Sequence, residues 1–199
     1  MRTHAATKLV CAALLALSGA AANAGIIVYG AQLSGPNESP SNASPGTGFA
    51  NVTIDDVLNT MRVQVVFADL VAGVTASHIH VINGPGDANV ADTLGPVATT
   101  TPTFAGFPSG VTSGSYDATF DMTLASSYRA GFVTDAGSVA AARLALFSAL
   151  ASGRAYLNIH TTAYPGGEIR GFLVPEPATL SLLALGLLGA GFARRLRVG

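Results

Sequence analysis

Cysteine is almost absent from this sequence. The single cysteine among 199 residues is Cys11, which lies in the N-terminal segment. The rest of the chain therefore has no thiol with which to form a disulfide, ligate a metal or attack a substrate. In an oxidising compartment such a chain must be stable through its hydrophobic core alone.

Charge and tryptophan are also scarce. Only 11% of the residues are charged, against about 25% in an average soluble domain. Between Gly25 and Val174 there is no lysine, and five arginines face ten acidic residues, so the net side-chain charge is near −5. This pattern excludes nucleic acid as a partner, because phosphate binding requires a basic stripe. The absence of tryptophan and the five tyrosines give little support to carbohydrate binding by ring stacking.

The N-terminal segment has the layout of a secretory signal peptide. Arg2 and Lys8 precede an apolar run from Leu9 to Leu17, and small residues end in Ala24. The run is shorter than the roughly 20 residues that span a bilayer. We therefore predict that residues 1–24 direct export and are removed by signal peptidase.

The C-terminal segment combines a proline motif, an apolar run and a basic end. The motif consists of Pro175, Glu176 and Pro177. The run Ala178–Ala193 follows, and the arginines after it are expected to stay on the cytoplasmic side of a membrane. Residues 175–199 resemble a PEP-CTERM sorting signal, the bacterial tail that an exosortase recognises. The resemblance implies a Gram-negative envelope, transient membrane anchoring through the C-terminal helix, processing near the proline motif, and a final location at the cell surface or outside it, often alongside exopolysaccharide.

The region between these segments, residues 25–174, is predicted to form one domain. Alternating apolar and polar residues between Gly-rich and Pro-rich turns indicate short antiparallel strands. The predicted strands lie in Gly25–Gly35, Phe49–Ile54, Thr60–Phe67, Thr75–Ile82, Gly114–Leu124 and a closing hairpin over 154–173. An alanine-rich segment, Ser138–Ala151, predicts one helix with Ser138 as its N-cap. The expected fold is mainly β, an antiparallel β-sandwich of short strands with one helix.

Three histidines in this region form a candidate metal site. His78 and His80 share one face of a strand, and His160 shares a face of a later strand with Asn158 and Tyr156. Such a set suits zinc or copper, with Glu168 or an aspartate as a fourth ligand. The alternative is that the histidines are partly buried, hydrogen-bonded residues that tie neighbouring strands together, in which case no cofactor is expected.

Glu168 and Arg170 share a face of the last predicted strand. We expect a salt bridge that stabilises the hairpin, either between these two residues or between each and a neighbour. The pair contains no nucleophile and no general base with a matched pKa. The sequence also has no G-x-S-x-G elbow, phosphate-binding loop or H-E-x-x-H motif. No catalytic residue is therefore predicted.

Four segments resemble the CHRD domain, a module named for its occurrence in chordin and common in secreted bacterial proteins. They are AQLSGPNESP, GTGFANVTI, SHIHVINGPG and GRAYLNIHTTAYPGGEIRGFL. The usual Glu-x-Pro after the first strand is altered here, where Glu38 is followed by Ser39 and Pro40. The family's polar motif positions are matched by His78, His80, His160, Glu168 and Arg170.

The CHRD resemblance implies a structural or binding role rather than catalysis. The family has no catalytic activity to carry over, and in chordin the domain accompanies modules that bind extracellular growth factors. We therefore predict an exported, non-enzymatic protein that binds an extracellular protein or polysaccharide at the cell surface or in the exopolysaccharide matrix. The alternative is a histidine-based metal-binding protein or redox metalloenzyme. The histidine pattern is similar to that of the copper and zinc superoxide dismutases, although the rest of their ligand set is missing.

Overall fold

The computed structural model describes residues 25–87 and 93–176. Its strands are β1 (Ile26–Ser34), β2 (Thr47–Asp55), β3 (Thr60–Ala68), β4 (Val74–Val81), β5 (Gly114–Asp121), β6 (Ala155–Thr161), β7 (Ile169–Phe172) and β8 (Val174–Pro175). Its helices are α1 (Ala130–Ala136) and α2 (Val139–Ala151). The predicted signal peptide, and the predicted tail from Pro177 onward, lie outside the described residues.

The strands form one curled antiparallel sheet in the order β4-β6-β7-β1-β2-β3-β5, and β8 also pairs with β1. The mainly β, antiparallel class is thereby confirmed. The sandwich is only partly confirmed, because the described strands belong to a single hydrogen-bonded sheet. Alternation along a strand shows that one face is buried, but it does not show whether that face packs on a second sheet or on its own curled continuation.

Residues 93–113, which precede β5, close the curl between the two edge strands, β4 and β5. On the β4 side, the Ala98 N–H donates to the Ile79 carbonyl at 2.9 Å and the Phe104 N–H donates to the Ser77 carbonyl at 3.0 Å. On the β5 side, the Tyr116 hydroxyl donates to the Ala105 carbonyl at 2.9 Å. The sequence of this segment has no helical or strand periodicity and therefore predicts no helix or strand. Its backbone hydrogen bonds are made to strands that lie elsewhere in the chain.

The interior of the curl is lined by alternating apolar side chains, as predicted. In β3 the residues on one face are fully buried, and they are Met61, Val63, Val65 and Phe67. In β6 the core-facing residues are Leu157 and Ile159. The opposite face of β6 carries Tyr156, Asn158 and His160, which places the polar side chains outside the apolar core.

Two helices cover part of the sheet, so the prediction of one helix is wrong. The predicted helix is confirmed as α2, and the Ala141 N–H donates to the Ser138 hydroxyl at its N-terminus at 3.1 Å. The missed helix, α1, has seven residues and ends at Gly137, whose φ of 88° is left-handed. Two turns are too short to display helical periodicity.

Within the described segments no single helix has both the length and the apolar content needed to cross a membrane. The pair α1 and α2 meets that test together by length and composition, with a bend of 96° between the two helices.

The closing strands pack tightly against β1. Ser34 pairs with Arg170 of β7, and Gly30 pairs with Val174 of β8. The Glu176 N–H donates to the Val28 carbonyl at 2.9 Å, so the first residues of the proline motif continue along the sheet. A Cβ on Gly171 would lie 2.2 Å from the backbone oxygen of Gln32, which is why only glycine permits this approach.

Candidate metal centre

Antiparallel pairing of β4 with β6 brings the three histidines together. His78 pairs with Asn158, His80 pairs with Tyr156, and His160 pairs with Ala76. Since residues two apart share a face, all three imidazoles project from the same side of this strand pair. The ring centroids of His78 and His80, and those of His78 and His160, are 4.7 Å apart. The centroids of His80 and His160 are 6.4 Å apart.

The three rings can each offer a nitrogen to one centre. One possible ligand atom from each histidine lies within 4.8 Å of those of the other two. Metal–nitrogen bonds of about 2.0 Å place tetrahedral ligand atoms about 3.3 Å apart. The rings must therefore rotate toward a common point when an ion binds.

Backbone carbonyls lie beside Nδ1 of two of the rings. Nδ1 of His80 lies 2.6 Å from the Gly95 carbonyl oxygen, and Nδ1 of His160 lies 2.9 Å from the Pro165 carbonyl oxygen. A carbonyl only accepts, so Nδ1 of His80 carries the proton and Nε2 of His80 keeps its lone pair. His160 has an oxygen beside each ring nitrogen, and a neutral imidazole donates to only one of them. A second hydrogen bond of this kind is what metal-binding histidines in proteins usually have.

Two ring nitrogens of the cluster are buried and unpaired. Nδ1 of His78 and Nε2 of His80 have no hydrogen-bond partner within the described residues. Nε2 of His160 lies 3.1 Å from Oδ1 of Asn158. The cluster therefore holds nitrogen atoms for which the surrounding protein supplies no hydrogen bond.

Burial keeps the cluster neutral. It lowers the pKa of His78 to about 3, an effect that the neighbouring His80 and His160 increase. It lowers the pKa of His80 to about 4, against an opposing hydrogen bond to Gly95. It also lowers the pKa of His160, which the carbonyl of Pro165 opposes. At neutral pH all three imidazoles are in the form that ligates metals.

A stack of side chains leads from the cluster to a buried ion pair. The ring of Tyr156 lies parallel to that of His80 with centroids 4.7 Å apart. The Arg170 guanidinium carbon lies 4.8 Å from the Tyr156 centroid, and its Nε lies 3.8 Å from a Glu38 carboxylate oxygen. Arg170 also donates to the carbonyls of Asn37 and Thr93. Burial raises the pKa of Glu38 to about 7, although Arg170 opposes the rise. The glutamate of the altered Glu-x-Pro thus serves as the partner of Arg170.

Glu168 belongs to a different network. Its carboxyl oxygens accept hydrogen bonds from the Ser44 hydroxyl, the Thr161 hydroxyl and the Val71 N–H, each at 2.6 Å. The predicted pairing of Glu168 with Arg170 is therefore wrong, and the alternative, in which each bonds to a neighbour, is found. The expectation that Glu168 is the fourth ligand is also wrong. Glu168 precedes the first residue of β7, so strand alternation does not fix its direction, and its partner Thr161 points to the face opposite His160.

The sequence indicated some of this site and missed the rest. Strand alternation placed Tyr156 on the face of His160, although it did not show that its ring would stack on His80. The carbonyls of Gly95 and Pro165 were missed, since a backbone oxygen leaves no mark in the residue types. The glycine-rich and proline-rich turns that carry these two residues were the only available signal.

Two models of known families match the chain. A model of the CHRD domain matches residues 29–173, and a model of the PEP-CTERM protein-sorting motif matches residues 173–197. No curated protein and no solved structure matches the chain. The CHRD match covers all eight polar residues discussed above, which are Glu38, His78, His80, Tyr156, Asn158, His160, Glu168 and Arg170. The chain therefore belongs to the CHRD family, and its sorting motif makes it an exported protein that exosortase processes at the envelope of a Gram-negative bacterium.

Proposed function

We propose that this protein binds one transition-metal ion at the cell surface through His78, His80 and His160. It acts there as a binding protein rather than as an enzyme. The observation that carries the proposal is the convergence of three neutral imidazoles whose ligand atoms lie within 4.8 Å of one another. Zinc and copper are the ions that such a donor set suits.

The unpaired nitrogens favour metal binding over a purely structural role. If the histidines served to tie strands together, their buried nitrogens would have hydrogen-bond partners. Leaving a buried polar group unpaired costs about 1–3 kcal/mol. Nδ1 of His78 and Nε2 of His80 are both unpaired within the described residues, and a bound ion removes this cost.

Binding is favoured over turnover by the position of the acidic groups. The carboxyl group of Glu168 is held by three hydrogen bonds in a separate network. Glu38 is buried against Arg170. Neither carboxyl group belongs to the group of possible ligand atoms that the three histidines form. A non-enzymatic role in the extracellular or exopolysaccharide matrix, with a protein or polysaccharide as partner, is the function we propose for the loaded protein.

Metal analysis of the exported chain tests the proposal. The protein is loaded with zinc or copper, dialysed, and its metal content is measured. We expect one ion per chain in the wild type and none in His80→Ala. Arg62→Gln, which changes an exposed residue of β3, is the matched control and should retain the ion. Absence of metal from the wild type, or its retention by a folded His80→Ala variant, would contradict the proposal.

A further inference from the structure

The candidate metal centre offers no negative charge to an ion. Its ligand group consists of three imidazoles, and within the described residues no Asp, Glu or Cys joins them. The carboxyl group of Glu168, which the sequence offered as a fourth ligand, is bonded to Ser44, Thr161 and Val71. An ion bound here therefore keeps its full charge.

The surroundings of the centre are electrostatically unfavourable to a high charge. The guanidinium group of Arg170 is a buried positive charge close to the cluster, since it packs on the ring of Tyr156. Tyr156 contacts both side chains, because the centroid of its ring lies 4.7 Å from that of His80 and 4.8 Å from the Arg170 guanidinium carbon. Glu38, at 3.8 Å from Arg170, offsets part of this positive charge. His78 is buried and His80 and His160 are half-buried, so a bound ion would be partly shielded from water and would have no net negative charge beside it.

Charge decides which ion such a site prefers. The cost of moving an ion out of water rises with the square of its charge, so a dication costs about four times as much as a monocation of the same size. Repulsion by Arg170 rises in proportion to the charge of the ion and is about twice as large for a dication. Zinc completes a tetrahedron either with a fourth protein ligand or, where the protein supplies three ligands, with a bound water. Copper(I), a closed-shell monocation, accepts three nitrogen ligands in a plane.

We infer that the three-histidine centre selects copper(I) over zinc(II) and copper(II). This inference rests on the proposed function, since it names the ion that the proposed site takes. A protein exported to an oxidising compartment would in this way hold copper in its reduced state, with a copper(II)/copper(I) potential above that of the free ions.

Competition with chelators under anaerobic conditions tests the selectivity in the full exported chain. Copper(I) is titrated against bicinchoninate and zinc(II) against a chromophoric zinc chelator. Silver(I), a closed-shell monocation that is stable in air, is measured by its effect on the imidazole nitrogen resonances. We expect a Kd for copper(I) about 100-fold lower than that for zinc(II), a difference of about 2.8 kcal/mol. His78→Gln should abolish copper(I) and silver(I) binding, and Arg62→Gln should not.

A second variant tests the electrostatic cause. At about pH 8.5 the Glu38 carboxyl, with a pKa of about 7, is ionised in the wild type, so Glu38→Gln removes one negative charge beside Arg170. Because the lost attraction scales with ion charge, the fold-loss in zinc(II) affinity should be about the square of the fold-loss in copper(I) affinity. Equal losses for the two ions would contradict the electrostatic argument. Far-UV circular dichroism checks that the variant is folded. If it is not folded, the chelator competition on the wild-type protein still tests the selectivity.

The possible outcomes separate the two proposals. Tight binding of copper(I) and silver(I) with weak binding of zinc(II) supports both. Zinc(II) or copper(II) bound with equal or greater affinity at one ion per chain overturns the selectivity and leaves the proposed function intact. Failure of all these ions to bind overturns both.

Discussion

Strands β4, β6 and β7 form one half of the sheet and strands β2, β3 and β5 form the other, and both halves carry an ion pair on the face that points away from the apolar core. In the first half, Arg170 of β7 faces Glu38 from the segment after β1; both side chains are 4% exposed, and the Arg170 Nε lies 3.8 Å from a Glu38 carboxylate oxygen. In the second half, the side chains of Arg62 and Asp117 are 50% and 47% exposed and make two hydrogen bonds of 2.8 Å and 2.5 Å. The better hydrogen bonds thus belong to the exposed pair.

The difference shows that burial, rather than contact distance, gives a polar group its influence on this fold. The Arg62 hydrogen bond holds the pKa of the Asp117 carboxyl below its usual range, but water can replace each partner of this exposed pair. The polar groups of the first half are buried, so each must be paired within the protein or remain at a cost. This half also holds the three histidines, of which His78 and His80 each have one ring nitrogen without a partner in the described part of the chain.

Replacement of Glu168 by alanine should produce the largest loss of stability. The substitution leaves the Ser44 hydroxyl, the Thr161 hydroxyl and the Val71 N–H without their acceptor in a fully buried position. We expect the free energy of unfolding to fall by about 4 kcal/mol, because each unpaired buried group costs about 1–3 kcal/mol. Urea denaturation measures the change.

The matched control for Glu168→Ala lies in the other half of the sheet. Asp117→Ala removes a carboxylate that accepts from Arg62 and Gln64, but all three side chains are in contact with water. We expect no change in the urea midpoint beyond experimental error. A similar loss of stability in the two variants would show that the two halves do not differ as described.

Gly171→Ala should weaken the pairing of β7 with β1, which connects the two halves of the sheet. The new Cβ would lie 2.2 Å from the Gln32 carbonyl oxygen, and a backbone atom of a central strand cannot move aside without disturbing the pairing of β7 with β1. We expect destabilisation of about 2 kcal/mol. Gly166→Ala is the control, since nothing lies within 4 Å of a Cβ there. If the thermal midpoints of the two variants coincide, the close approach of β7 and β1 is not a constraint.

Acid should destabilise the metal-free protein through the histidine half. The folded-state pKa values of His78 and His80 are about 3 and about 4, below the ordinary value of 6.5. The unfolded state therefore binds more protons, and the stability that these residues contribute is complete above pH 6.5 and is lost as the pH falls below it. The expected slope is about 1.4 kcal/mol per pH unit for each histidine. Urea denaturation between pH 7 and pH 4 measures it, and His78→Gln should reduce the slope.

Glu38 acts in the opposite direction over part of the same range. Its folded-state pKa of about 7 is above the ordinary value of 4.5, so its contribution is present below pH 4.5 and is lost as the pH rises through 7. The free energy of unfolding should therefore fall more steeply with acid in Glu38→Gln than in the wild type. A flat stability profile in both proteins would mean that the histidines are not buried in the neutral form.

Much of the fold could be predicted from local patterns. Alternation located the seven longer strands, and the alanine-rich segment with Ser138 located α2, because these signals arise within a few neighbouring residues. Helix α1 was missed because its two turns carry no clear period. The single curled sheet could not be predicted either, since the segment that closes it forms its backbone hydrogen bonds with residues far away in the chain.

The candidate site likewise has features that local patterns predicted and features that only the fold determines. Alternation showed that His78 and His80 share a face and that His160 lies with Asn158 and Tyr156. The partner of each charged residue was not predictable, because Glu38 and Arg170 are separated by more than 130 residues of chain and only the fold brings them to 3.8 Å. Glu168 illustrates the limit, since one position before the start of β7 was enough to direct its side chain into another network.

By itself the sequence determined which chemistry this protein has at its disposal. It specified a sorting signal, no cysteine after residue 11, and three histidines on strand faces, because these properties reside in residue types and short spacings. Only the tertiary structure decided that the histidines of β4 and β6 meet, that two of their ring nitrogens are buried without partners among the described residues, and that Glu168 lies elsewhere. Proximity between distant strands depends on sheet order and register, and these are set by the packing of the whole core rather than by any one segment.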